Sequence, residues 1–95
     1  MRIIAGKWKG YTLQTPKNNL TRPTSDRIRE ALFSALESRI ELNESHVLDL
    51  FAGTGALGLE ALSRGAGTCY FVEKMTAAWA VIENNIHALD AGDKT

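Results

Sequence analysis

The stretch from Val47 to Gly58 constrains the fold more than any other part of the chain. Val47–Phe51 is almost continuously apolar, which is typical of a strand covered on both faces in a parallel sheet. A glycine-rich turn, Ala52-Gly-Thr-Gly55, follows, and the next residues predict a helix from about Ala56 to Arg64 that Gly65 ends. The sequence therefore predicts a strand, a glycine turn and a helix in succession.

A second unit of the same kind comes directly after the first. Thr68–Val72 predicts another buried strand, which Glu73-Lys74 ends. One face of a further helix is then marked by four apolar residues, Trp79, Ile82, Ile86 and Leu89. This β-α-β-α succession is typical of doubly wound α/β proteins. We predict a Rossmann-like α/β fold with a mostly parallel sheet, of which residues 41–95 form the first half.

Residues 1–40 predict an extension of that domain, made of a β-hairpin and a helix. Arg2–Ala5 and Tyr11–Gln14 are β-prone, and the glycines between them predict a turn with Trp8 near its tip. Pro23 favours a helix start just after it, with Thr24 or Ser25 as the N-cap and an end near Arg39. The helical spacing predicts an apolar face of Ile28, Leu32, Ala35 and Leu36.

Charge is distributed unevenly although the whole chain is formally neutral. Residues 1–29 hold seven basic residues and one acidic residue, a net charge of +6, whereas residues 30–95 carry −6. A basic segment on an acidic body is expected where one part of a protein meets a phosphate backbone. The alternative is a basic hairpin that is merely solvated. The residues predicted to contact RNA are Arg2, Lys7, Lys9, Arg22, Arg27 and Arg29.

Composition excludes several other classes. The 44% hydrophobic and 23% charged content is that of a globular chain, and no apolar run approaches the ~20 residues of a membrane helix. The N-terminus lacks the apolar region of a secretory signal, so we expect a cytoplasmic protein. Cys69 is the single cysteine and lies far in sequence from both histidines, so we expect neither a disulfide nor a metal site. A small buried strand residue is the expected role of Cys69.

The glycine turn predicts a site for a nucleoside cofactor. The helix start after it presents unpaired N–H groups, and Glu73 follows the next strand, where a carboxylate can accept hydrogen bonds from ribose hydroxyls. Asp49 favours S-adenosyl-L-methionine over NAD, because a carboxylate there attracts the methionine ammonium and repels a pyrophosphate. The residues predicted to line the cofactor are Asp49, Phe51, Gly53, Thr54, Gly55, Gly58 and Glu73.

Some of these residues have a second interpretation. Asp49 can cap the following helix from a distance, and Glu73 can be an ordinary acidic residue at a helix start. Phe51 favours packing beneath the loop over stacking on adenine. Thr54 either donates a hydrogen bond to the cofactor or stabilises the turn.

The pattern Asp49-x-Phe-x-Gly-x-Gly55 resembles motif I of class I methyltransferases. The wider chain resembles one family, the bacterial 16S ribosomal RNA guanine-N2 methyltransferases of the RsmD type. That resemblance rests on Arg2-Ile-Ile-Ala-Gly-Lys7, Arg22-Pro-Thr-Ser-Asp-Arg-Ile-Arg-Glu-Ala-Leu-Phe33, Asp49–Ala66 and Phe71-Val-Glu-Lys74. It implies that Asp49, Gly53, Gly55 and Glu73 line the cofactor, and that Arg22, Arg27 and Arg29 lie near the RNA or the methionine end.

The chain also departs from that family. Its members are roughly twice as long and carry an Asn/Asp-Pro-Pro-aromatic segment that holds the amine to be methylated, whereas the prolines here are Pro16 and Pro23. No catalytic residue is therefore assigned, and the chain alone is expected to be inactive. The resemblance implies methyl transfer to guanine N2 without a metal ion, by positioning and desolvation. It implies 16S ribosomal RNA or an assembling small subunit as partner, and a monomer.

Three rival interpretations remain open. The glycine pattern also occurs in NAD-dependent oxidoreductases, although Asp49 disfavours that class. A non-catalytic chain that binds cofactor weakly or contacts RNA through its basic segment is the second. A methyltransferase acting on a DNA amine or another RNA position is the third. Because two strands leave an uncovered sheet edge, we expect the chain to be less stable than a full-length parent.

Overall fold

The structure, a computed structural model, describes residues 2–14, 26–50, 55–89 and 91–92. Its elements are α1 (Asp26–Glu37), β1 (His46–Leu50), α2 (Ala56–Ser63), β2 (Thr68–Val72) and α3 (Thr76–Ala88). From β1 onward the order is strand, helix, strand, helix. The predicted α/β succession is confirmed.

The two strands form a parallel pair that one helix covers on one face. Val47 of β1 lies opposite Cys69 of β2, and Asp49 lies opposite Phe71, on the face that contacts α2. The other face is apolar but exposed, because the part of the chain that the structure describes places no element over it. Its four residues are exposed by 49–60%: Leu48, Leu50, Tyr70 and Val72. The prediction that both faces are covered is therefore wrong for these strands.

The helix α2 forms the centre of the core. Seven of its eight residues are buried, and Leu59 has no exposed surface. Gly55 precedes the helix in the left-handed conformation, with φ at 81°, which glycine adopts without steric cost. The helix ends where the sequence predicts, with Gly65 in a positive-φ turn.

The N-terminal residues form a short hairpin whose tip folds onto the core. The Ile3 amide donates to the Tyr11 carbonyl at 2.9 Å, and a single antiparallel bridge joins Arg2 to Thr12. Trp8 lies in the turn, as predicted, but it is 6% exposed and packs in the hydrophobic core. The hairpin is thus an anchored part of the domain.

The predicted apolar face of α1 is correct only for Leu36, which packs against the core. Ile28 is 61% exposed and Leu32 is 41% exposed, whereas Arg29 and Phe33 are buried. The buried face therefore follows Arg29, Phe33 and Leu36 at helical spacing, and Arg29 Nε on it lies 3.6 Å from the buried Glu60 carboxylate. The predicted N-cap residues, Thr24 and Ser25, lie outside the described residues.

The helix α3 packs through most of its predicted face. Ile82 and Leu89 are buried, and Asn85 joins them, but Trp79 remains 37% exposed. The Asn85 side chain accepts from the Gln14 amide at 2.7 Å and donates to its carbonyl at 3.0 Å. These bonds hold the end of the hairpin. None of the helices in the described ranges has the length and apolarity needed to cross a membrane.

Candidate functional site

Two carboxylates lie at the ends of the parallel strands. Asp49 is the fourth residue of β1, and Glu73 directly follows β2. Because parallel strands end at the same edge of the sheet, both carboxylates lie on the edge where α/β proteins bind their ligands. We call this pair, with the start of α2, the carboxyl edge.

Asp49 is 8% exposed and bonded to the helix that follows it. Its Oδ2 atom accepts a hydrogen bond from the Gly58 amide at 3.1 Å. Burial raises the pKa of Asp49 above its ordinary value; the Gly58 hydrogen bond opposes this, and repulsion from Glu73 adds to it. The hydrogen bond from the Gly58 amide fits the interpretation that Asp49 caps α2, and it accounts for one contact of this carboxylate. A ligand cation at this edge would relieve the repulsion between the two carboxylates.

Gly58 contacts the sheet. A Cβ added there would lie 2.4 Å from the Phe71 ring and 2.6 Å from Cys69 Sγ. Gly58 therefore allows α2 to pack closely on β2, and its place beside the cofactor stays a prediction. Gly55 stands at the start of α2, as the predicted turn requires.

Glu73 borders a groove of about 400 Å³ between the end of β2 and the start of α3. Its Oε2 atom accepts a hydrogen bond from the Met75 amide at 2.9 Å, just before α3. This contact fits a helix-start acid, and the groove fits a ligand-binding carboxylate, so both interpretations stand. Phe51, Gly53 and Thr54 lie outside the described residues.

A larger groove, of about 510 Å³, lies between β2 and α3. Its walls are mainly aromatic and aliphatic, with Tyr70, Trp79 and Ile86 among them. It lacks the strand-end carboxylates that suit a methyl donor. We therefore place the candidate cofactor site at the carboxyl edge and not in the larger groove.

The basic residues predicted to contact RNA divide into two groups. Arg2, Lys7, Lys9 and Arg27 are exposed, and the Lys7 amine lies 5.5 Å from the centre of the Trp8 ring. Arg29 has no exposed surface, so its predicted contact with RNA is corrected. Its guanidinium donates to the Asp26 carboxylate at 2.9 Å and to the Arg2 carbonyl. Arg22 lies outside the described residues.

Glu60 is a buried residue whose role was not predicted from the sequence. It has no exposed surface, and its carboxylate accepts hydrogen bonds from the Ile4 amide at 2.9 Å and the Ala5 amide at 3.1 Å. Arg64 Nε donates to it at 2.8 Å, and Arg29 Nε lies 3.6 Å away. The sequence contains one signal for this role, because Glu60 is the single acid in a helix of otherwise apolar or small residues.

Ser63, one turn after Glu60, contacts the hairpin as well. Its hydroxyl accepts from the Trp8 amide at 2.9 Å and donates to the Ala5 carbonyl at 2.7 Å. Its backbone carbonyl accepts from the Lys7 amide at 2.7 Å. Through Glu60 and Ser63, α2 holds the hairpin at one end while its first turn forms the carboxyl edge.

Cys69 has the expected structural role. It has no exposed surface, and burial, with a contribution from the Asp49 carboxylate, raises the pKa of its thiol to about 12. A thiol this weakly acidic is inert as a nucleophile at neutral pH. Across the described ranges, no group of three or more histidine, cysteine or acidic residues is placed to hold a metal ion.

Comparison with known proteins gives the family. A family model described as Conserved hypothetical protein 95 matches residues 1–95. The chain belongs to this family. A relative in Escherichia coli strain K12, Ribosomal RNA small subunit methyltransferase D, is 44% identical over 98% of the chain. A Haemophilus influenzae protein of the same name is 42% identical over 94% of the chain. These names confirm the resemblance seen in the sequence.

Solved structures of similar proteins share the fold. An Escherichia coli protein described as a proposed methyltransferase matches with a TM-score of 0.84 at 40% identity, over 97% of this chain and 48% of that one. A hypothetical protein from Thermus thermophilus matches with a TM-score of 0.85 at 38% identity, over 97% of this chain and 52% of that one. The chain spans about half the length of these family members, 46% in the case of the Escherichia coli K12 relative.

Proposed function

We propose that the chain is the cofactor-binding part of an S-adenosyl-L-methionine-dependent methyltransferase that modifies guanine N2 of 16S ribosomal RNA. The observation that carries the proposal is the carboxyl edge, where Asp49 and Glu73 end neighbouring parallel strands beside the start of α2. The name of the relatives supports ribosomal RNA of the small subunit as the substrate. The choice of guanine N2 rests on the family resemblance.

The carboxyl edge fits the charges of the methyl donor. Asp49 would pair with the methionine ammonium, whose positive charge offsets the cost of burying this carboxylate. The methionine carboxylate would lie at the N-terminus of α2, the positive end of the helix dipole, and Glu73 would accept from the ribose hydroxyls. The cofactor supplies the methyl group. A pyrophosphate at the glycine turn would meet the Asp49 carboxylate, which disfavours NAD.

Exposed basic residues of the hairpin and α1 would contact the RNA. These are Arg2, Lys9 and Arg27, together with Arg22, whereas Lys7 lies over the Trp8 ring and is left out of this proposal. Phosphate contacts of this kind are electrostatic and set the orientation of a protein on RNA. The partner is 16S ribosomal RNA, free or in an assembling subunit. We expect the chain alone to bind the cofactor and the RNA without transferring methyl groups.

Calorimetric titration with S-adenosyl-L-methionine tests the proposal, with NAD as the competing ligand. The parent chain should bind the methyl donor and not NAD. Asp49→Ala should weaken that binding by about 10- to 100-fold, the value of a charge-assisted hydrogen bond. Glu44→Ala, an exposed carboxylate outside the carboxyl edge, is the matched control and should bind as the parent does.

The rival functions give other results. Tight NAD binding that survives Asp49→Ala, without affinity for the methyl donor, would favour an NAD-dependent oxidoreductase. Binding of neither ligand would remove the support that the carboxyl edge gives to this function. Preferential methylation of naked DNA by a full-length family member would move the substrate from RNA to DNA.

A further inference from the structure

A charged groove lies between the hairpin and the start of α1, away from the carboxyl edge. Its volume is about 390 Å³, within the ~300–1,000 Å³ range of small-ligand sites. The charged residues that line it are Arg2, Lys9, Asp26, Arg27 and Glu30. Two segments that are distant in sequence thus bring three cations to one concave surface.

The balance of charge in this groove is positive. The buried Arg29 guanidinium forms an ion pair with the Asp26 carboxylate at 2.9 Å. Arg2 Nε lies 3.8 Å from the same carboxylate. Its negative charge is therefore largely offset within the protein. Within the described part of the chain, Lys9 and Arg27 form no ion pair, which leaves their charges available to a ligand against the single carboxylate of Glu30.

Both walls of the groove are fixed to the same buried carboxylate. Glu60 accepts hydrogen bonds from the Ile4 and Ala5 amides of the hairpin wall. It also lies 3.6 Å from Arg29 Nε, which belongs to the α1 wall. The groove is thus formed before any ligand arrives, so binding loses little conformational entropy.

We infer that this groove is a phosphodiester-binding subsite for the RNA, with Lys9 and Arg27 as its main ligands and Arg2 beside them. The inference rests on the proposed RNA-binding function and narrows it to one surface. Lys7 provides the contrast, because it lies two residues from Lys9 but stacks on the Trp8 ring outside the groove. A diffuse basic surface would use both lysines equally, whereas a subsite uses Lys9.

Fluorescence anisotropy with labelled single-stranded oligouridine of about twelve nucleotides tests the inference, since single-strand sites span ~4–16 nucleotides. The variants are Lys9→Gln, Arg27→Gln and the matched control Lys7→Gln, each titrated at several salt concentrations. Lys9→Gln and Arg27→Gln should each weaken binding about 5- to 10-fold and lower the salt slope by ~0.7, as the loss of one single-strand phosphate contact does. Lys7→Gln should change affinity less than about twofold, with an unchanged slope.

Equal losses for Lys7→Gln and Lys9→Gln would overturn the subsite and leave the diffuse basic surface in place. Absence of RNA binding by the parent chain would overturn both the subsite and the RNA part of the proposed function. Calorimetry with the methyl donor separates the two sites, because all three variants should retain the parent affinity. Circular dichroism of each variant confirms that the fold is intact.

Discussion

At the scale of single residues, the most informative side chains are buried charges. Asp49 sits on the covered face of β1 and bonds to the Gly58 amide, yet a buried carboxylate is costly to keep ionised. Glu60 is buried among apolar neighbours and is offset by two arginines and two backbone amides. Fewer protein groups therefore offset the buried charge of Asp49 than that of Glu60, which agrees with a ligand cation as the partner of Asp49.

The raised pKa of Asp49 gives a prediction about pH. The folded chain holds this proton more tightly than the unfolded chain, so stability falls as pH rises from about 4, the ordinary aspartate value, through the higher folded value. Asp49→Asn keeps an oxygen for the Gly58 amide and removes the buried charge. We expect it to stabilise the fold at pH 7 and to differ little from the parent below pH ~4.

Urea unfolding of parent and Asp49→Asn at the two pH values measures this effect. The same variant should bind the methyl donor more weakly than the parent, because a neutral amide cannot form an ion pair with the methionine ammonium. A variant that is less stable than the parent at pH 7 would show that the ionised carboxylate stabilises the fold.

Gly6 gives a second prediction at this scale. Both Gly6 and Gly10 have φ near +90°, but a Cβ on Gly6 would lie 1.9 Å from the Ser63 carbonyl oxygen, and one on Gly10 meets nothing within 4 Å. Gly10→Ala should cost about 1–2 kcal/mol in the free energy of unfolding, because alanine is strained in the left-handed conformation. Gly6→Ala should cost ~1–3 kcal/mol more, from overpacking against α2. Equal losses in denaturant unfolding would contradict this close approach.

At the scale of elements, α2 connects the two proposed sites. Its first turn bonds to Asp49 at the carboxyl edge, and Glu60 and Ser63 hold the hairpin one and two turns later. The ion pair between Arg64 and Glu37 adds a contact to α1. The orientation of the proposed RNA-binding segment relative to the proposed cofactor site therefore depends on one short helix.

Loss of the Glu60 carboxylate should damage this connection far more than loss of a similar exposed one. Glu60→Ala leaves the buried Arg29, the half-buried Arg64 and two backbone amides without their shared partner and should cost about 3–5 kcal/mol of unfolding free energy. Glu37→Ala removes the ion pair between Arg64 and a partly exposed acid, Glu37, and should cost ~0–1 kcal/mol of unfolding free energy. Thermal unfolding of both variants measures the difference. Comparable losses of stability in the two variants would show that Glu60 does not stabilise the packing of the hairpin on α2.

The elements themselves could be predicted from the sequence more fully than their faces. Apolar runs and glycine positions indicate β1, α2 and β2 because those signals are local. The inward face of α1 could not be predicted fully in this way, since Arg29 is buried beside Glu60, an acid on a different element, on the face that also holds Phe33. The packing role of Gly58 could not be predicted for a related reason, because only the folded structure reveals its contact with Phe71.

At the scale of the whole molecule, charge and exposed apolar surface mark different regions. The basic residues surround the hairpin and α1, the two carboxylates mark the edge of the sheet, and the outer face of the strands is apolar. The charge difference between residues 1–29 and 30–95 indicates the first two regions. The exposed face of the sheet could not be predicted, because the apolar pattern of β1 is that of a strand covered on both sides.

Binding of the methyl donor at the carboxyl edge can be followed residue by residue through amide chemical-shift mapping by NMR during titration with S-adenosyl-L-methionine. We expect the amide signals of Gly55, Gly58 and Glu73 to move together and saturably, while those of Lys9 and Arg27 stay in place. Shifts confined to the groove around Trp79 and Ile86, with Gly55 and Glu73 unmoved, would contradict the account.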